Sequence, residues 1–95
     1  MVIETSIGNY LQNLRKERKM SLRDVADHIG IDVSMLSKIE HGERQLQTHM
    51  LKDICEIFDV DYKMMQIQLL YQKIENEYGD EPFLIEALQT YLSHK

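Results

Sequence analysis

The residues best suited to chemistry in this 95-residue chain cluster in the stretch "IDVSMLSKIEHGER". At helical spacing, Ser34, Met35, Ser37, Lys38 and His41 point outward, while Val33 or Leu36, and Ile39, point inward. Short hydroxyls beside a long primary amine are the donors needed to read base-pair edges in a groove, and Lys38 can reach a guanine edge or a phosphate. Other chemistries find less. Of His28, His41, His49 and His94, only His41 and His49 are near one another, eight apart across a loop, with no second Cys and no two-His helical spacing. No metal site is expected from that pattern. Cys55 lies on an apolar helical face and reads as a small buried side chain rather than a redox sensor. No set of nucleophile, base and oxyanion donors stands out, nor any phosphate-cradling glycine loop, so neither catalysis nor a cofactor is expected.

The elements that must carry these residues are helical. One Pro, four Gly and a dominance of Leu, Met, Gln, Glu, Lys and Arg predict an all-α fold, and 95 residues predict a single compact domain. Ser6 can cap a first helix whose inner face is Ile7, Tyr10, Leu11 and Leu14. Ser21 and Asp24 form a shortened capping box for a second helix, with Leu22, Val25, Ala26 and Ile29 inward and Gly30 as its stop. Asp32 caps the third helix, which runs to about Glu40 and is ended by Gly42. A fourth, from about Thr48 to Phe58, turns Leu51, Ile54, Cys55 and Phe58 inward. A fifth starts at Asp59 or Asp61 and continues to about Tyr78. Gly79 stops it, Pro82 falls in the first turn of a sixth, and that helix is expected to bury Leu84, Ala87, Leu88 and Tyr91.

Charge qualifies the groove-reading idea. The chain carries a net charge of -5. Residues 1–58 hold eight basic and nine acidic side chains, against three and seven in residues 59–95, so the acid excess lies mainly in the last third. The first two thirds can still present one positive face. The cluster from Arg15 to Lys19 is read as a solvated helix terminus, where cations suit the helix dipole. With one Cys, no long apolar run and no leader-like start, the expectation is a cytoplasmic protein without a membrane partner.

Two short helices joined by a glycine turn have the physical content of a helix-turn-helix, with Ala26 small at the close approach and Ile31 beneath the turn. "SLRDVADHIGIDVSMLSKIEHGER" resembles the Cro/repressor-type, or xenobiotic-response-element-like, helix-turn-helix regulators. Ser21, Val25, Ala26, Gly30, Ile31, Leu36, Ser37, Ile39, Glu40, Gly42 and Arg44 match their pattern by identity or apolar type. The resemblance implies a five-helix DNA-binding core, here with the fifth helix extended and a sixth added, acting without catalysis as a dimer on palindromic double-stranded DNA. It implies base readers at Val33, Ser34, Ser37 and Lys38, and backbone contacts at Arg23 and Arg44, to which the position of His41 at the end of the helix adds a further backbone contact. For Arg44 a solvated loop position stands beside the phosphate reading. It also implies a structural pair between Arg15 and Glu40. Leu22 replaces the family's phosphate-touching Gln, and Leu46-Gln47 replaces its Pro-Ser. A looser similarity over residues 22–78 is to small regulators beside restriction-modification methyltransferases.

These features divide the chain into a DNA-binding core over 1–60 and a helical extension over 61–95. The extension has more apolar positions than one helical stripe needs. Met64, Ile67, Tyr71, Ile74, Phe83, Ile85 and Leu92 therefore serve packing, a homodimer interface, or both. No small-molecule ligand is indicated. The competing reading is an acidic helical interaction module, an antitoxin or adaptor, whose main partner is a protein.

Overall fold

Side chains that accept from free backbone amides mark where the helices begin. In the computed structural model, which describes residues 6–95, they open α1 (Ile7–Glu17), α2 (Leu22–Ile29), α3 (Val33–Glu40) and α5 (Tyr62–Tyr78). Ser6 accepts from the Asn9 amide at 3.2 Å. Ser21 and Asp24 exchange hydrogen bonds at 3.0 and 2.9 Å, a complete capping box despite the shorter acid. Asp32 accepts from Met35 at 2.6 Å and Asp61 from Lys63 at 3.3 Å. α4 (Leu51–Phe58) has no side-chain cap and is entered through a 3-10 turn, Thr48–Met50. α6 (Leu84–Ser93) completes an all-helical chain with no strand among the described residues. The expected first unit begins in residues 1–5, which lie outside those described.

The first four helices end alike. A residue one or two places past each takes a left-handed conformation, Lys19 (φ 56°), Gly30 (φ 83°), Gly42 (φ 78°) and Asp59 (φ 52°). The following amide then bonds back to a carbonyl of the last turn, as Met20 to Arg15 at 3.0 Å, Ile31 to Ala26 at 3.0 Å and Glu43 to Lys38 at 2.9 Å.

One apolar core joins α1 to α5, with Leu11, Val25, Ala26, Leu36, Ile39, Leu51, Ile54, Phe58, Met65 and Leu69 all buried. Cys55, expected inward, is only half-buried. Leu46, from the loop after α3, is also buried and seats that loop. α1 crosses the end of α3 so closely that a Cβ on Gly8 would collide with the Ile39 carbonyl oxygen and lie 2.8 Å from that of Glu40. Beside this contact Arg15 grips Glu40 with two hydrogen bonds, Nε to Oε2 at 2.8 Å and Nη2 to Oε1 at 3.1 Å. Its third donor reaches the Met20 carbonyl at 3.0 Å. The bond to Glu40 outweighs desolvation and raises the Arg15 pKa, so the guanidinium stays charged although only 11% of the side chain is exposed. At the far end, Gln72 of α5 accepts the free Ile7 amide of α1 at 3.1 Å.

The sixth helix departs from expectation. None of its residues is buried: Leu84 and Leu88 are half-buried, while Ala87 and Tyr91 are exposed. Pro82 precedes it rather than opening it, because bonds from Glu81 to Tyr78 (2.9 Å) and Leu84 to Glu81 (3.4 Å) form a turn around the proline. The core is already closed by Met65 and Leu69 of α5, so α6 lies beyond it. The radius of gyration, 14.9 Å, exceeds the roughly 12 Å typical of a sphere-like chain this long.

Three outcomes follow from these contacts. Gly8→Ala should lower stability by about 1–3 kcal/mol in urea unfolding, although alanine is the better helix former, because α1 must move off α3. Glu40→Ala should cost about 3–5 kcal/mol by stranding the Arg15 charge, and an apolar pair at both positions should recover most of it. The bonds from Ser21 lower the Asp24 pKa from its ordinary 3.8. Its contribution is therefore complete above that ordinary value and fades as pH falls through the lowered one. Asp24→Asn should flatten that part of the acid unfolding profile.

Candidate nucleic-acid interface

The turn between α2 and α3 determines which face of α3 meets solvent. Ala26 is fully buried, and its carbonyl accepts both the Gly30 amide (2.9 Å) and the Ile31 amide (3.0 Å). Asp32 then restarts the chain as α3, with Leu36, Ile39 and Glu40 turned to the core. Ser34, Lys38 and His41 are left exposed on the far side, with Val33, Met35 and Ser37 half-buried.

A shallow depression on that side is lined by Asp32, Ser34, Met35, Lys38 and Arg44. Arg44 arrives there through the backbone: the Lys38 carbonyl accepts the amides of both Glu43 and Arg44, at 2.9 and 3.3 Å. The residue whose amine faces solvent thus also folds the loop that brings a guanidinium beside it. Among the described residues the one ion pair is Arg15–Glu40, and no described carboxylate pairs with Lys38 or Arg44. Asp32 tempers their charge, although its carboxylate is engaged by the Met35 amide.

The other sequence-selected residues sit around this patch. Ser37 and Val33 flank it on α3 without lining it, and Arg23 is exposed on α2. His41 closes α3: its Nδ1 lies 2.7 Å from the Ser37 carbonyl, which also accepts the His41 amide at 3.0 Å. That bond requires a proton on Nδ1 and leaves Nε2 as the free ring nitrogen. Among the described residues no three His, Cys, Asp or Glu side chains are grouped to hold a metal. Burial, and then the Asp61 carboxylate, push the Cys55 thiol pKa up, away from a reactive thiolate.

The basic cluster is not simply solvated, as sequence had suggested. Arg15 is taken by Glu40, and Arg18 donates from Nη2 to the Phe58 carbonyl at 2.5 Å with its guanidinium 5.5 Å from the Phe58 ring centre. Arg18 thereby caps the end of α4. Its partner lies forty residues along the chain, at no spacing that a local pattern could reveal. Lys16 and Lys19 are exposed.

Comparison with known proteins agrees with this geometry. Over 91 residues the chain is 26% identical to the HTH-type transcriptional repressor RghR of Bacillus subtilis, spanning 90% of this chain and 67% of that protein. Over 58 residues it is 38% identical to the HTH-type transcriptional regulator RamB of Mycobacterium tuberculosis, 61% of this chain but 12% of the other. Antitoxin PezA of Streptococcus pneumoniae is 32% identical over 56 residues, 59% of this chain and 35% of PezA. The chain thus spans about two thirds of the first relative and far less of the other two. A family model described as a helix-turn-helix domain matches residues 8–75. With that match covering α1 to α5 almost entirely, and the α2–turn–α3 geometry beneath it, the chain belongs to the helix-turn-helix family and is of the Cro/repressor type.

Proposed function

We propose that this protein is a sequence-specific, DNA-binding transcriptional regulator that reads a palindromic operator as a homodimer in the cytoplasm. The observation that carries the reading is the shared exposed face of α3, where Ser34 and Lys38 lie beside Arg44. In this reading Ser34, Ser37 and Lys38, with Val33 for apolar contact, meet base edges in the major groove. Arg23, Arg44 and His41 hold the phosphates on either side. The function is binding rather than catalysis. Transcriptional roles in the names of two relatives support it. No relative's name supports a restriction-modification setting, which forms no part of the proposal.

A dimer is favoured because a chain of net charge -5 gains little from bulk attraction to DNA. Two half-sites bound together, about 34 Å apart, raise affinity without added charge. The proposed contact surface is Met64, Ile67, Tyr71 and Ile74 of α5 with Phe83, Ile85 and Leu92 at α6. Five of these are 53–72% exposed and Met64 and Ile74 are half-buried.

The second reading, a protein-interaction module, draws on that same exposed apolar surface and on the relative named as an antitoxin. Salt-dependent binding to the DNA upstream of the protein's own gene separates the two. A folded protein with no DNA affinity even at low salt would leave only the interaction module.

In a gel-shift titration, Lys38→Ala should lose about 1–3 kcal/mol on the specific site and little on random DNA. Equal losses on both would make Lys38 a phosphate contact instead of a base reader.

A further inference from the structure

α5 is apolar on two opposite sides. Met65 and Leu69 enter the core, while Ile67, Leu70, Tyr71, Ile74 and Tyr78 recur at i, i+3, i+4, i+7 and i+11 along the outer side. Of these, all but the half-buried Ile74 are 46–61% exposed. The next helix in the chain does not cover them. α6 packs extensively on no other element and has no buried residue, and Phe83, Ile85, Tyr91 and Leu92 are 60–72% exposed. A ten-residue helix is marginal alone in water, so α6 needs an apolar surface to rest on.

We infer that α6 is an exchanged arm: each copy lays its α6 across the outer stripe of the partner's α5. This rests on the homodimer proposed above and specifies how it is built. The dimensions agree, since the stripe from Ile67 to Tyr78 is about 18 Å long and ten-residue α6 about 15 Å. Charge agrees as well. Between Ile67 and Tyr78 the charged residues are Lys73, Glu75 and Glu77, and α6 carries Glu86 alone, so Lys73 is the one cation on the stripe available to that acid. The large exposed apolar side chains of the two helices offer on the order of 1,000 Å² per chain, against about 800 Å² per partner in a standard interface. A two-fold axis makes the contact twice, so each α6 covers the stripe that its own chain leaves open. The Gly79–Phe83 connection is the natural hinge.

The test uses full-length protein carrying Cys55→Ser, with one new cysteine per chain. A variant with Ile67→Cys or Tyr71→Cys in α5 is mixed with one carrying Ile85→Cys or Leu92→Cys in α6, then oxidised. The exchanged arm predicts at least one α5–α6 pairing that yields mixed disulfide dimers in excess over α5–α5 and α6–α6 dimers. Dimers linked only α5–α5 or only α6–α6 would overturn the exchange and leave the homodimer standing. An intrachain disulfide at monomer size in the Tyr71→Cys/Ile85→Cys double variant would also overturn it, by showing a hairpin within one chain. Unmodified protein sedimenting as a monomer at about 100 μM, where a specific interface of this size should persist, would overturn the homodimer and the exchange together. As a second measurement, Ile85→Lys with Leu92→Lys should weaken dimerisation by about tenfold or more, with any loss of helix confined to the ten residues of α6 and the α1–α5 core still folded. An unaltered dimer would count against the arm.

Discussion

The position of α3 depends on one contact, where α1 crosses the C-terminal end of that helix. Two features make the crossing possible. Gly8 lets the α1 backbone come down onto the Ile39 and Glu40 carbonyls, and the Arg15–Glu40 pair clamps the helices one step further along. A buried carboxylate is costly unless its charge and lone pairs are met, and both Glu40 oxygens are met by one guanidinium. Because Glu40 belongs to α3, the clamp reaches from inside the molecule to the helix whose other face carries Ser34 and Lys38. The third Arg15 donor, to the Met20 carbonyl, ties in the α1–α2 turn as well. Three helices are thus referenced to one side chain.

That arrangement changes how the charge of the chain should be counted. Arg15 is neutralised by Glu40, and Arg18, exposed and still charged, is anchored at the end of α4. The exposed cations near the proposed reading face reduce to Arg23, Lys38 and Arg44, with Asp32 beside two of them. So small a positive patch on an acidic chain favours recognition by fit and by two copies acting together over diffuse attraction. The unspent apolar surface of α5 and α6 is the matching half of that account. So many large apolar groups left to solvent in a domain this small are the surface on which the proposed homodimer rests.

Much of the core was legible in the sequence because its signals are local. Ser6, Ser21 with Asp24, and Asp32 each cap a helix through an amide no more than three residues away. Gly30 and Gly42 end helices through their own backbone conformation. Apolar spacing alone identified Leu11, Val25, Ile39, Leu51 and Ile54 as core, and left Val33 and Leu36 as alternatives of which Leu36 is the buried one. The last third was less legible for the same reason. Spacing shows that α6 has an apolar side, but not that the core is already closed when the chain reaches it. Leu84, Ala87, Leu88 and Tyr91 therefore looked like core positions and are not.

By itself, the sequence determined the helices, the glycine turn between the second and third, and that Ser34, Lys38 and His41 of the third face away from the core, but not that Met35 packs partly against it. Caps, turns and helical periodicity are short-range physics, complete within a few residues. Only the tertiary structure decided that Gly8 is a point of closest approach, that Arg18 caps a helix forty residues on, and that Arg44 lies beside Lys38 and Ser34. It also decided that α6 lies outside the core. The Gly8 and Arg18 contacts and the place of α6 depend on segments distant in the chain, and the place of Arg44 on a loop folding back onto the Lys38 carbonyl; no helical spacing carries that information.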